Sequence, residues 1–291
     1  MESCRIPPQF EAAWIFSEGL APVQLRGQWG YIDTSGQMVI QPQFEAAWGF
    51  SEGLAPVQLG DQWGFIDATG QTIIEAQFEA AWYFTEGLAG FKSDGLKGYI
   101  DKRGQIVIPP QFEAAGKLSE GLISVLINEK WGFVDRKGER IISPQFDQSA
   151  GHFSEGLVAV VIGAESSYID KSGRIVVRPE FDELGGPFSE GLAEGITGFH
   201  MGFIDRTGQF VIPPQFDWVG VFSEGLAPTK IDEEAYYIDR HGHTAATPGF
   251  DFGLLGGQFS EGLALVQIDD QWGYIDRHSI EMWGKSFTGL P

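Results

Sequence analysis

Short stretches of alternating apolar and polar residues, each closed by a turn signal, run the length of the chain. Leu54-Ala-Pro-Val-Gln-Leu59 alternates between Gly53 and Gly60-Asp61 and predicts a strand. Trp63-Gly-Phe-Ile-Asp67 predicts a second strand, and Gln71-Thr-Ile-Ile74 a third. The turn between these two is Asp67-Ala-Thr-Gly70. An Asp side chain at the head of such a turn bonds the backbone, and Gly accepts the left-handed conformation at its end. The three strands form a meander whose register is pinned by turn chemistry.

This pattern repeats eight times. A Ser-Glu-Gly-Leu block begins at Ser17, Ser51, Ser119, Ser154, Ser189, Ser223 and Ser260, and Thr85 opens the remaining copy. Sixteen residues after each comes an Asp: Asp33, Asp67, Asp101, Asp135, Asp170, Asp205, Asp239 and Asp276. Eleven residues after each of the first seven comes a Phe: Phe44, Phe78, Phe112, Phe146, Phe181, Phe216 and Phe250. Phe10 supplies the corresponding residue at the N-terminal end. All length variation falls between this Phe and the next Ser, from seven residues (Phe10 to Ser17) to ten (Phe250 to Ser260). In Phe44-Glu-Ala-Ala-Trp-Gly-Phe50 the residues Phe44, Ala46, Trp48 and Phe50 fall at period two, which fits a fourth strand; a short loop is the competing reading. The expected organisation is one repeat domain over 1–291, with units near 7–40, 41–74, 75–108, 109–142, 143–177, 178–212, 213–247 and 248–283.

The pattern Trp-Gly-Phe-Ile-Asp…Gly…Val-Ile-Pro-Pro-Gln-Phe…Phe-Ser-Glu-Gly-Leu-Ala resembles the WG (KWG) repeat of bacterial proteins, from about Pro7 to Trp283. The pair that names the family stands at Trp29-Gly30, Trp63-Gly64, Trp131-Gly132 and Trp272-Gly273. Lys97-Gly98 and Met201-Gly202 keep only the Gly, and Ser166-Ser167 and Ala235-Tyr236 lose both. The resemblance implies a repeat scaffold of the protein-interaction kind. It brings no catalytic motif, and a function requiring Trp in every unit does not fit the departures.

The fold class expected is all-β: eight repeats of about 34 residues, favoured as a closed β-propeller-like ring. Radial closure hides strand edges. Ser3-Cys-Arg-Ile6 stands just before Phe10, where a third strand would be, and would close the ring against the last unit. The alternative is an open β-solenoid or superhelix, which tolerates any copy number.

Charge narrows the partners. The formal net charge is −21, with no basic stripe to neutralise phosphates, so nucleic acid and anionic membrane surfaces are disfavoured. No apolar run reaches the length of a membrane span. The single Cys4 excludes an internal disulfide, and residues 1–6 carry no signal-peptide pattern, so a cytoplasmic location is expected.

The acids themselves follow the repeat. Glu11, Glu18 and Asp33 head three columns that account for 24 of the 40 acidic residues. Such regular columns are expected to accept backbone N–H bonds in turns rather than to bind cations. His241-Gly-His243 is the only close histidine pair and sits in a turn, so no metal site is predicted. The recurring Ser-Glu-Gly block is not read as a Gly-x-Ser-x-Gly nucleophile elbow, because its Ser belongs to the repeat, and no phosphate-cradling Gly-rich loop with Lys occurs. No catalytic, cofactor or metal residue is therefore assigned.

One column stands out. The fifth residue of the adjustable segment reads Trp14, Trp48, Trp82, Gly116, Ala150, Gly185, Gly220 and Leu254. A packed core position does not swing from Trp to Gly without a costly cavity. The column is expected to face a groove or rim, with Trp14, Trp48 and Trp82 as an aromatic partner surface. The competing reading is that the first units pack differently or are recent copies. The function expected is a non-catalytic scaffold for an unidentified protein partner. A carbohydrate-binding module is the alternative, and a glycosidase-type enzyme the least favoured.

Overall fold

The computed structural model describes residues 4–149, 151–163, 165–178, 183–232, 234–246, 257–268 and 270–279. Each repeat folds into one four-stranded antiparallel sheet, and the eight sheets follow one another along the chain. In blade one the strands are Ala12–Ala13, Leu20–Leu25, Gln28–Asp33 and Met38–Phe44, hydrogen-bonded in that order. Blades two to seven occupy 46–78, 80–112, 114–146, 148–177, 183–216 and 218–246. Blade eight takes Phe259–Ser260, Leu263–Ile268 and Gln271–Asp276 from the C-terminal part, and its fourth strand, Ile6–Phe10, from the N-terminal end. Ile6 pairs with Tyr274 and Phe10 with Trp272, so the ring is closed. The closing strand starts at Ile6; residues 1–3 lie outside the described ones. The only helix among the described residues is one turn at 277–279.

The turns form for local reasons. Arg26 and Gly27 both have positive φ, 54° and 75°, the geometry of the hairpin turn whose twist matches the strands it joins. Glu18 and Gly19 repeat it at 55° and 78° inside the Ser-Glu-Gly-Leu block. Asp33 accepts N–H bonds from Ser35 (2.9 Å) and Gln37 (3.0 Å), and Gly36 N–H bonds Asp33 O at 2.9 Å. The adjustable segment is part strand, part loop. Ala46–Ala47 pair with Gln58 and Val57, and the rest returns to the sheet at the Ser51–Leu54 bridge.

The Trp-Gly glycine has a definite task. Tyr31 pairs with Ile40 and Trp29 with Phe44, so residues 41–43 bulge opposite Gly30. A Cβ on Gly30 would lie 2.4 Å from Ile40 O and 2.7 Å from Pro42 N. Gly64, Gly98, Gly132, Gly202 and Gly273 meet the same close backbone. Where Ser167 replaces the glycine, the described part of the fourth strand is Ile175–Val177, and residues 179–182 lie outside the described ones. Blade seven, with Tyr236 at that position, likewise has a described fourth strand of Thr244–Ala246 only.

The core lies between blades. One buried cluster joins Tyr31, Ile40 and Phe44 of blade one to Phe50, Val57 and Ile66 of blade two, and each of the other joints has its counterpart. At seven joints an aromatic ring of the third strand meets a ring of the next blade, as in Tyr31 on Phe50 at 4.9 Å, Phe65 on Phe84 at 5.0 Å and Tyr274 on Phe16 at 4.7 Å; Tyr99 packs with Leu118 instead. Burying one such ring contributes about 2–3 kcal/mol. Trp29, Trp63, Trp131 and Trp272 of the Trp-Gly pairs are partly buried against these clusters, so they serve packing.

Candidate functional site

The first strands lie nearest the ring axis: the fourth strands carry the exposed Val39, Ile73, Ile106 and Ile141 of the outer edge, and the turns beside the first strands tie successive blades together. Ser17 Oγ donates to Phe50 O of the next blade at 2.8 Å, and Glu18 accepts the N–H of Gly53 at 2.8 Å. The segments that precede these turns therefore line the axial side. Two cavities open among them.

The first cavity, about 330 Å³, is walled by Trp14, Ile15, Trp48, Gly49, Phe50 and Tyr83, with Ser17 and Ser51. Three consecutive blades contribute. The half-buried Trp14 and Trp48 rings meet at 5.2 Å and 40°. Their main chain is fixed from both sides: Trp14 N–H bonds Pro22 O and Trp48 N–H bonds Pro56 O, each at 3.1 Å. Tyr274 OH donates to Trp14 O at 2.6 Å, and Tyr31 OH to Trp48 O at 2.8 Å. Burial drives both phenols far above their ordinary pKa, so they remain donors. The Trp14 and Trp48 walls are loop residues just past the short first strands, held by main-chain hydrogen bonds on both sides.

The second cavity, about 270 Å³, lies across blades three, four and five. Its walls include Trp82, Tyr83, Thr85, Lys97, Lys117 and His152. Tyr83 is exposed and lines both cavities, so they adjoin. In blade three two residues, Trp82 and Tyr83, oppose Gly90 alone, a bulge that re-aims side chains. Lys97 Nζ stands 3.6 Å from the Trp82 ring centroid and donates to Ala115 O at 2.6 Å. Burial pushes Lys97 down to about 8 and lowers Lys117 as well. His152 falls to about 4, first by burial and then by the charge of Lys117, so it is neutral at pH 7.

Eight consecutive stretches, residues 5–29, 29–63, 63–96, 98–131, 131–164, 167–194, 201–234 and 237–272, match the family described as WG containing repeat. The chain belongs to the WG repeat family. No curated protein matches it. Among solved structures it is similar to BamB from Moraxella catarrhalis, at 11% identity and TM-score 0.61, over 93% of this chain and 99% of that one. It is also similar to a eukaryotic initiation factor, at 14% identity and TM-score 0.58, over 91% and 85%. A third likeness is to the dihydro-heme d1 dehydrogenase NirN, at 16% identity and TM-score 0.58, over 94% and 73%. At such identities the likeness is one of fold.

The WG propeller treats the residues singled out by sequence unequally. Trp14 and Trp48 come together, whereas Trp82 turns into the neighbouring cavity beneath Lys97. Later in the same column, Gly116, Gly185 and Gly220 face filled space. A Cβ there would meet Ser124 Oγ at 2.4 Å, the Glu194 side chain at 2.3 Å and Pro228 at 2.8 Å. At Gly185 the lost volume is regained from Glu194 on the neighbouring strand, whereas Ser124 and Pro228 stand where Pro22 and Pro56 accompany a Trp. Ala150 and Leu254 lie outside the described residues.

The acid columns are spent on turns. The carboxylates of Glu18, Glu52, Glu86, Glu120, Glu155, Glu190, Glu224 and Glu261 each accept an N–H of the next blade's turn, at 2.8–3.1 Å. Glu11 accepts the N–H groups of Arg26 and Gly27 at 2.9 Å. His241 and His243 lie in an exposed turn with ring centroids 6.0 Å apart. Among the described residues no three His, Cys, Asp or Glu gather as a metal site.

Sequence reasoning missed Tyr83, Lys97, Lys117 and His152. A signal existed one position before the conserved-in-repeat aromatic residue, where the WG units read Ile15, Gly49, Tyr83, Lys117, His152, Pro187, Val221 and Gln258. That column varies as freely as the Trp column, and Tyr83, Lys117 and His152 fall in consecutive units.

Proposed function

We propose that this WG propeller is a non-catalytic scaffold that binds a protein partner at the axial groove of blades one to three. The observation that carries this reading is the Trp14–Trp48 cavity. It is an open, largely apolar hollow of about 330 Å³ whose walls have their main chain hydrogen-bonded on both sides, with two large aromatic rings half exposed in it. Rigid aromatic walls around a pocket are where interfaces concentrate binding energy. An aromatic or branched aliphatic side chain of the partner fits such a hollow. The repeated carboxylates, being engaged by backbone N–H groups, do not form the free pair that glycoside hydrolysis uses. The glycan reading is weaker for the same reason: the acids that would bond sugar hydroxyls are occupied.

The test compares wild type with the Trp14→Ala/Trp48→Ala double variant in quantitative affinity capture, followed by binding of the purified partner. Partners retained by wild type and lost by a still-folded double variant support the reading. Equal capture by both, or binding to a glycan array that the substitutions abolish, overturns it.

A further inference from the structure

The departures of this chain from its own repeat converge on one place. Seven units carry Ser at the head of the Ser-Glu-Gly turn, and each hydroxyl donates to a main-chain carbonyl of the next blade at 2.6–2.8 Å. The eighth unit has Thr85, whose hydroxyl oxygen is buried with no hydrogen-bond partner and borders the second cavity. The Trp of the Trp-Gly pair is Lys97 in the same blade. Pro22 and Pro56 are matched there by Gly90, whose Cα leaves room for Trp82: a Cβ would meet that ring at 3.4 Å. In blade four Lys117 enters the wall. Repetition explains a residue that recurs; it does not explain four unlike residues that meet at one cavity.

Their chemistry is uniform. Lys97 and Lys117 line the cavity from two blades, with Nζ of Lys97 3.6 Å from the Trp82 ring centroid and Nζ of Lys117 5.9 Å from that of Tyr83. Neither makes an ion pair among the described residues, although the chain carries 40 acids against 19 Lys and Arg. No carboxylate lines the cavity. Glu120, the acid whose charge acts on His152, is committed to Lys171 at 2.9 Å and to the Gly156 N–H at 3.1 Å. Glu113 and Lys92 border a separate opening on the other side of Lys97. Two half-desolvated cations without a counter-ion are costly, and an anion entering between them offsets that cost.

We propose that this cavity binds a carboxylate of the partner's peptide chain, clasped by Lys97 and Lys117 above the rings of Trp82 and Tyr83, with Thr85 as a further donor. The proposal rests on the partner reading above and deepens it. Because Tyr83 borders both cavities, an extended segment would place an apolar side chain at Trp14 and Trp48 and an acidic one between the lysines.

Two probes test the site. The first is 3-phenylpropionate beside its neutral amide, titrated calorimetrically. The second is an array of hexapeptides with all residue pairs at the central positions. The acid should bind and the amide bind about tenfold more weakly, the value of one charge-assisted hydrogen bond. Lys97→Met and Lys117→Met should each weaken the acid about tenfold without loss of melting temperature, and Lys171→Gln, in an exposed turn, should not. Array hits should pair an aromatic or aliphatic residue with Asp or Glu and be competed by the acid. Equal binding of acid and amide, or no binding of either, overturns the carboxylate site. Array hits indifferent to Asp and Glu also overturn it, yet leave the partner reading standing. Charge-dependent binding of the small acid with no competing peptide overturns the peptide source and, with it, the partner reading. The Trp14→Ala/Trp48→Ala variant should keep the small acid, so failure of one cavity is told from failure of the other.

Discussion

The carboxylate of Glu261 accepts the backbone N–H of Gly19 at 2.8 Å, across 242 residues of chain. It is the same joint that Glu86 makes with Gly121 inside the ring, at 2.9 Å. The seam between last and first blade is thereby built like the other seven. Glu261→Ala and Glu86→Ala should each cost about 1 kcal/mol, the worth of a hydrogen bond to a charged acceptor near the surface. Urea unfolding of the two variants measures this. An open ring would leave Glu261→Ala without effect while Glu86→Ala destabilises.

Gly64 should tolerate no side chain. Its Cβ would stand 2.6 Å from Ile74 O, and both atoms belong to main chain that cannot turn aside. Gly64→Ala should cost more than about 2 kcal/mol, through forced separation of the third and fourth strands. Ser167→Gly, at a position where this chain already carries a side chain, should change stability by less than about 1 kcal/mol. Equal effects would remove the explanation given for the Trp-Gly glycine.

Trp48 and Phe50 lie two residues apart and do different work. Phe50 is fully buried against Tyr31, whereas Trp48 is half exposed in the first cavity. Phe50→Ala should cost about 3–5 kcal/mol as a core deletion, and Trp48→Ala less than half of that. Denaturant midpoints decide. If Trp48→Ala proves the more damaging, it belongs to the core and not to a binding surface.

Acid should weaken the fold in two stages. His152 is held near 4 in the folded state against an ordinary 6.5, so the unfolded chain binds a proton first, and stability falls as pH drops from 6.5 towards 4. Asp33, Asp67, Asp170 and Asp205 are held below their ordinary 3.8, chiefly by a Ser or Thr hydroxyl two residues on. Their contribution is intact above 3.8 and is lost as pH falls through the lowered values. Melting temperature against pH should show both stages, and His152→Gln should erase only the upper one. A single transition that His152→Gln does not alter would contradict the burial of that ring.

Lys97 acts in the opposite direction. With a folded value of about 8 against 10.5, the folded state sheds a proton that the unfolded chain keeps, and stability rises as pH climbs between the two. Lys92, Lys117 and Glu113 are the charged groups that border it, and none pairs with it among the described residues. Lys97→Met should therefore raise melting temperature at pH 7 and flatten its rise above pH 8. A lowered melting temperature at pH 7 would show that the ammonium group holds the fold together.

Much of the fold could be read from local chemistry. Asp33 and Gly36 announce their turn, and the fixed spacing to Phe44 marks the strand that follows. The part that stayed hidden was the compensation around the Trp column. Gly116 looked like an emptied position, but Ser124 on the adjacent strand reaches into it. Glu194, where blades one and two carry Pro22 and Pro56, does the same for Gly185. Such exchange of volume between strands leaves no trace at the position that changed.

Strand pattern, turn types, copy number and membership of one repeat family follow from the chain alone, because each depends on residues a few positions apart. Closure and the second cavity were settled only by the folded ring. Glu261 meets Gly19, and Trp82 and Lys97 meet Lys117 and His152, because eight twisted sheets packed face to face come round to their start and draw their first strands together at the axis. Spacing along a sequence does not record that meeting.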